Sequence, residues 1–177
     1  MKICVIMGKG FEEIEAVGTL ALLKRSGLEA DLYGLSGEKT SGKHDIPICD
    51  LLPLNELECS SYDALFLPGG PHYALMEDSA EVKEIITEFA QADKPIFAIC
   101  AAPTILGHMG LLKGKNYTCF TSMDEDFGGT YIDQYVVTDG NLITGRSAAA
   151  TIEFAFAIIE KMQGKAQKEL IQKQIYY

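Results

Sequence analysis

Pro95-Ile96-Phe97-Ala98-Ile99 is an uncharged apolar run that stops at Cys100, and Ala101-Ala102-Pro103-Thr104 then opens a helix-like stretch. A strand that hands over to a helix in this way commits the chain to βα units, with loops gathered at the carboxyl edge of a sheet. A side chain at so sharp a turn is pushed out toward that edge, where open α/β folds take their ligands. A cysteine there has two readings. Free cysteine is commonly a buried, small apolar residue. The N-terminus of the following helix also offers free N–H groups and a positive dipole end, both of which favour a reactive thiolate. The turn by itself leaves the two readings level; other segments favour the second.

The rest of the chain repeats the same handover. Lys2–Met7 reads as a short apolar strand, Gly8-Lys9-Gly10 as a turn, and Glu12–Ser26 as a helix with Ile14, Val17, Leu20, Ala21 and the stem of Lys24 toward one face. Gly27 stops that helix. Glu29–Leu35 returns as a strand, Ser36–Lys43 is a turn-rich loop, and Ile46–Leu51 is a short extended segment. Ala64–Leu67 is a buried strand ended by Pro68-Gly69-Gly70. Asp78 or Ser79 caps a helix reaching about Gln91, with Val82, Ile85, Ile86 and Phe89 at helical spacing. The strand Pro95–Ile99 leads through Cys100 to a helix ending near Met109, and Tyr117–Phe120 reads as a further strand. Tyr135–Thr138 and Leu142–Thr144 flank Asp139-Gly140, a hairpin signal. Thr151–Gln163 is an apolar helix, and Gly164 separates it from a polar one over Lys165–Gln174. Such alternation implies a mainly parallel sheet covered on both faces, with an antiparallel addition at the hairpin. A length of 177 residues suits one domain, residues 1–177, with a core that needs no metal or disulfide staple.

Charge and cysteine usage exclude several classes. A net charge of −10 lacks the basic face that phosphate binding needs, so nucleic acid is not an expected partner. Met1–Gly8 has only a short apolar run before the acids Glu12, Glu13 and Glu15, which is not a signal peptide pattern. Pro95–Leu112 contains no Asp, Glu, Lys or Arg, but Pro103, Gly107, His108 and Gly110 argue against a membrane span, and a buried strand plus helix explains the composition. Cys4, Cys49, Cys59, Cys100 and Cys119 form no C-x-x-C pair and are odd in number, so neither a disulfide framework nor a zinc cluster is expected. A reducing cytoplasm fits best.

Three turns should meet at one sheet edge: Gly8–Phe11, Pro68–His72 and Cys100–Ala102. Gly69-Gly70 removes two side chains beside the thiol, leaving the backbone N–H groups of Gly70 and Ala101 free to approach a developing oxyanion; the plainer reading is a simple turn. Glu12 and Glu13 read as a solvated first helical turn. Glu15, at the edge of the apolar face, is placed to be buried, protonated and able to donate to a thiolate or move a proton on a substrate. His108 is about 12 Å along a helix from Cys100, too far for contact. His44 reads as a surface loop residue, and His72 is a candidate for the pocket whose orientation the sequence leaves open. No Cys-His-Asp triad is therefore supported. Arg146 is by default a surface residue, with an anion-binding role as the alternative. Neither a phosphate-binding loop nor a dinucleotide fingerprint occurs.

Gly10-Phe11-Glu12-Glu13-Ile14-Glu15, Leu67-Pro68-Gly69-Gly70 and Ala98-Ile99-Cys100-Ala101-Ala102-Pro103 jointly resemble the ThiJ/PfpI superfamily, in the branch of the Parkinson's-linked protein deglycase (DJ-one-like), over Lys2 to about Gly164. The resemblance implies a flavodoxin-like three-layer α/β/α sandwich with a nucleophile elbow, one class I glutamine amidotransferase-like domain and a homodimer. It places Cys100 as nucleophile and oxidation-sensitive thiol, Glu15 as its protonated partner, and Gly70 and Ala101 as backbone donors, with Gly69, His72, Phe120 and Arg146 around the pocket. No cofactor or metal is implied. The implied activity is glyoxalase III or deglycase chemistry on a small aldehyde or glycated substrate. Implied alternatives are an oxidative-stress sensor or redox-regulated chaperone and, less favoured, a peptidase or amidase or a thiamine-biosynthesis-related protein. Three departures bear on this. Peptidase-like relatives carry a histidine directly after the cysteine, where this chain has Ala101. Some glyoxalase-active relatives carry one near Phe120-Thr121, so base work here falls to Glu15 or water. Ser147-Ala148-Ala149-Ala150 lacks the glycines and proline common in that loop.

Overall fold

The apolar runs become the middle of a seven-stranded sheet. The computed structural model describes residues 1–177. In chain order the elements are β1 (Lys2–Met7), a π-helical turn (Ile14–Gly18) running into α1 (Thr19–Arg25), β2 (Glu29–Gly34), β3 (Lys39–Ser41), β4 (Pro47–Cys49), β5 (Leu52–Pro53), β6 (Ala64–Leu67), α2 (Tyr73–Asp78) and α3 (Ala80–Gln91). They continue with β7 (Ile96–Ile99), α4 (Ala102–His108), β8 (Asn116–Tyr117), β9 (Thr130–Tyr131), β10 (Val136–Asp139), β11 (Leu142–Gly145), α5 (Thr151–Gln163) and α6 (Lys165–Gln174). The sheet order is β10-β11-β7-β6-β1-β2-β5, parallel throughout except for the antiparallel β10–β11 hairpin. Every residue of β6 and β7 is buried, which is why these strands read as unbroken apolar runs rather than alternating ones.

The period of two in β1 divides the core. Ile3, Val5 and Met7 point to a layer with Phe66, Phe97, Ile99 and the α1–α5–α6 side, whereas Cys4 and Ile6 join Leu65, Leu67, Ala98 and the α3–α4 side. The result is an α/β/α sandwich. Ser79 Oγ accepts from Val82 N–H at 3.2 Å and so caps α3. From β1 the chain steps to β2 on one side and later crosses to β6 on the other, so the sheet's switch point lies between β1 and β6. Crevices form at such points, outside the carboxyl ends of the strands. No helix is long and apolar enough to cross a membrane.

Four local expectations need correction. The first helix begins as a π turn, and its wider winding turns Ile14 (60% exposed), Val17 (44%), Ala21 and Lys24 outward, while Ala16, Thr19, Leu20 and Leu23 face the core. The Ser36–Lys43 loop contains β3, which pairs antiparallel with β4. Tyr73–Asp78 is a helix that the sequence pattern did not mark. Only Tyr117 of Tyr117–Phe120 is in a strand, because Phe120 N–H is drawn instead to Cys100 C=O at 2.7 Å.

Candidate active site

Cys100 sits where β7 ends and α4 is about to begin. Its φ of +65° is left-handed, a conformation that non-glycine residues adopt at a cost. Packing holds it there: its N–H donates to Gly145 C=O at 2.9 Å and its C=O accepts from Phe120 N–H. The side chain is driven over the switch point and is only 9% exposed. Glu15, carried inward by the π turn, is 1% exposed, and its Oε2 has no hydrogen-bond partner within the chain.

Gly69 explains how two such groups come so close. A Cβ there would collide with both Cys100 Cβ and a Glu15 carboxylate oxygen, so the missing side chain is the space the pair occupies. Gly70 performs the equivalent task for the backbone. Its φ is +100°, and a Cβ would run into main-chain atoms of Gly10, Phe11 and Glu12. Glu12 N–H donates to Gly69 C=O at 2.8 Å, sewing the turn after β1 to the turn after β6.

Electrostatics couples the pair. Burial raises the Glu15 carboxyl to about 7, with the Glu12 carboxylate adding to the effect and the Cys100 side chain and Lys43 opposing it. Burial, then the neighbouring Glu15 charge, pushes the Cys100 thiol up to about 12, against the backbone N–H groups of Gly70 and Ala101. Both causes oppose the thiolate that the following helix favours. Desolvation outweighs the amide dipoles, and α4 is only seven residues long. At neutral pH the carboxyl is the group poised to gain or lose a proton.

The raised carboxyl has a consequence for stability. Between the ordinary value of 4.5 and about 7, the folded chain holds a proton on Glu15 that the unfolded chain releases. The stabilisation this confers is fully present below pH 4.5 and is lost as pH rises through 7. Glu15→Gln cannot ionise. Its stability relative to wild type should therefore climb by about 3 kcal/mol from pH 4.5 to above pH 7 in urea titrations. A difference independent of pH would mean that Glu15 titrates normally in the fold.

Above Cys100 and Glu15 opens a cavity of about 500 Å³. Cys100, Glu15, Gly70, Ala101 and Phe120 line it, as do Glu12, Lys43, Pro71, Tyr73, Met123, Ser147 and Ala148. Three residues expected around the pocket are not in its wall. Gly69 packs directly against Cys100 and Glu15 but is not among the lining residues. His72 is wholly buried, with both ring nitrogens bound to backbone. Arg146 turns away to Asp133 and stacks on the Tyr135 ring, 4.7 Å from its centroid. Pro71 and Tyr73 directly follow the diglycine and were within reach of sequence reasoning. Lys43 was not: its N–H donates to Phe11 C=O at 2.8 Å and its Nζ lies 3.8 Å from Glu12, contacts that depend on tertiary folding. Glu12, Glu13 and His44 place donor atoms within 4.8 Å of one another, but Glu13 is already satisfied by His44 N–H at 2.7 Å and Nδ1 at 2.9 Å.

Comparison with known proteins matches this arrangement to one family. A family model described as DJ-1/PfpI matches residues 1–161. The chain is 33% identical to Protein dj-1beta of Drosophila melanogaster, over 96% of this chain and 93% of that protein. It is 31% identical to a protein named deglycase from Thermococcus kodakarensis, over 82% of this chain and 90% of that one. The crystal structure of a mutant DJ-1 superfamily protein from Salmonella typhimurium superposes with a TM-score of 0.93 at 32% identity, covering 99% of this chain and 98% of the other.

Proposed function

The chain belongs to the DJ-1/PfpI family, and from that premise we propose that it is a cysteine-dependent, cofactor-independent enzyme acting on small α-oxoaldehydes, of glyoxalase III or deglycase type. One observation carries the reading: the Cys100 sulfur and a buried Glu15 carboxyl, whose Oε2 has no hydrogen-bond partner, together line a substrate-sized cavity. A relative bearing the name deglycase supports it. A cavity of this kind favours turnover over the alternative of a stress sensor, which needs only an accessible sulfur.

The chemistry runs as follows for an oxoaldehyde. The Glu15 carboxylate accepts the Cys100 thiol proton as sulfur bonds to the aldehyde carbon and the C=O electrons move to oxygen. Gly70 and Ala101 N–H groups stabilise that oxyanion, and the Glu15 proton then neutralises it, giving a hemithioacetal. Glu15 next removes the proton from the same carbon and returns it to the adjacent keto carbon, while the hydroxyl proton passes from the first oxygen to the former keto oxygen, leaving a 2-hydroxyacyl thioester. Water adds to the thioester carbonyl, the C–S bond breaks, and sulfur leaves with a proton. The sum is oxoaldehyde plus water to 2-hydroxy acid. A glycated amine enters the same scheme when sulfur displaces the amine from its hemiaminal carbon.

The unit of function in this reading is a single domain over residues 1–177, working as a homodimer in the cytoplasm. Ile14 and Val17, exposed on the outer face of the first helical turn, support a partner surface. The five unpaired cysteines support a reducing compartment.

Purified protein incubated with methylglyoxal and no added thiol should form lactate, read with stereospecific lactate dehydrogenases. Cys100→Ser should lower that rate by about 10³-fold or more. Full activity in Cys100→Ser would sink the mechanism.

A further inference from the structure

We propose that His72 is a positioning residue that sets the distance between the turn leading to Glu15 and the turn presenting the Gly70 N–H, by spending both ring nitrogens on their backbones. The role rests on the reading of Cys100 and Glu15 as a reactive pair. Two turns build the site, Gly8–Phe11 after β1 and Pro68–Gly70 after β6, and they come from strands far apart in sequence. Gly8 N–H donates to His72 Nδ1 at 3.1 Å. His72 Nε2 lies 2.8 Å from Pro68 C=O. A peptide N–H can only donate and a carbonyl can only accept, so the ring must be neutral with its proton on Nε2. The His72 main chain adds a further link, its N–H donating to Gly10 C=O at 3.3 Å. Burial supports the neutral form by holding the ring at about 4.

Geometry makes this a device for spacing rather than for chemistry. The ring is wholly buried and absent from the cavity wall, so it touches no substrate. Gly8 leaves room for it: a Cβ there would stand 3.3 Å from Nδ1, tighter than ordinary side-chain contact. Of the links between the two turns, only this one is made by a side chain that reaches both; Glu12 N–H to Gly69 C=O is purely main chain. Small displacements matter here, because a misplacement of about 1 Å at a reacting centre costs on the order of 100-fold in rate.

Three substitutions in the 177-residue chain separate the two bonds. Phenylalanine keeps the ring and removes both nitrogens. The side-chain oxygen of asparagine falls near Nδ1 and can keep the Gly8 bond; the amide nitrogen of glutamine falls near Nε2 and can keep the Pro68 bond. The main readout is the pH-rate profile of Cys100 alkylation by iodoacetamide, resolved from the other cysteines by peptide mass spectrometry. It reports the thiol–carboxyl coupling and needs no substrate. His72→Phe should move the profile's midpoint by about half a unit or more. It should also lower kcat for lactate formation by about 10- to 100-fold with KM within about threefold. His72→Asn or His72→Gln should fall between His72→Phe and wild type. A folded His72→Phe with the wild-type midpoint and kcat overturns the proposal. Should His72→Phe fail to fold, wild-type profiles and kcat in both His72→Asn and His72→Gln overturn it equally. A wild-type protein that makes no lactate defeats the glyoxalase reading, while the alkylation profile still decides the role of His72.

Discussion

Glu15→Gln lowers the rate of lactate formation from methylglyoxal by between about 10²- and 10⁴-fold, the range that a positioned acid–base group supplies. The substitution keeps the shape of a side chain that is 1% exposed, so the cavity and the binding of substrate are preserved. It removes the one group beside the sulfur that titrates near neutrality. No histidine is available to take over: His72 is committed to backbone, and His44 and His108 are bound to Glu13 and to Glu77 and Glu125. The same substitution has the opposite effect on the thiol. After burial, the Glu15 charge is the next cause that holds Cys100 high. Without it the thiol becomes more acidic, and alkylation at pH 8 speeds up. Turnover falling while alkylation rises is therefore the signature of a proton carrier. Loss of both would indicate damage to the scaffold, and unchanged turnover would remove Glu15 from the mechanism.

The division between what could be read from the chain and what could not follows the range of the interactions. β1, β6 and β7 were legible because a parallel strand buried on both faces must be apolar throughout. The α3 cap and the β10–β11 hairpin were legible because Ser79 and Asp139-Gly140 act on backbone within a few residues. Glu15 was placed correctly as buried, yet the reason lay elsewhere: a π turn, not the regular helical face, brings it inward and exposes Ile14 and Val17. One inserted residue in a helical turn defeats any periodicity argument built on 3.6.

Long-range contacts account for the other misses. Lys43 enters the cavity because its loop pairs back onto Phe11 and Gly42 bridges to the same residue. The imidazole of His72 follows a diglycine that the sequence places at the site, but which way the ring turns depends on Gly8, 64 residues away. Arg146 was drawn off by Asp133 and Tyr135. Proximity of turns can be inferred from strand order; the direction of a side chain leaving a turn is decided by partners that only the folded chain brings together.

Gly70→Ala destabilises the protein by roughly 3 kcal/mol or more and abolishes Cys100-dependent turnover. Two penalties combine at this position. The backbone sits at φ +100°, where a Cβ is strained in any surroundings. The new methyl would also meet Gly10 O at 2.6 Å and Phe11 C at 2.8 Å, main-chain atoms that no rotamer change can move. Gly110→Ala separates the two contributions. Gly110 has φ +76° with nothing within 4 Å of the added carbon, so it carries the strain without the collision. It should cost only about 1 to 2 kcal/mol. The excess of Gly70→Ala over Gly110→Ala, read from urea midpoints at equal m-values, measures how tightly the two turns are pressed together. Relief of the collision requires the Pro68–Gly70 turn to move off the Gly8–Phe11 turn. That motion carries the Gly70 N–H away from the oxyanion position and Glu15 away from the sulfur. Equal costs for the two substitutions would mean that the turns are not in backbone contact, and the proposed site would lose the geometry on which its chemistry depends.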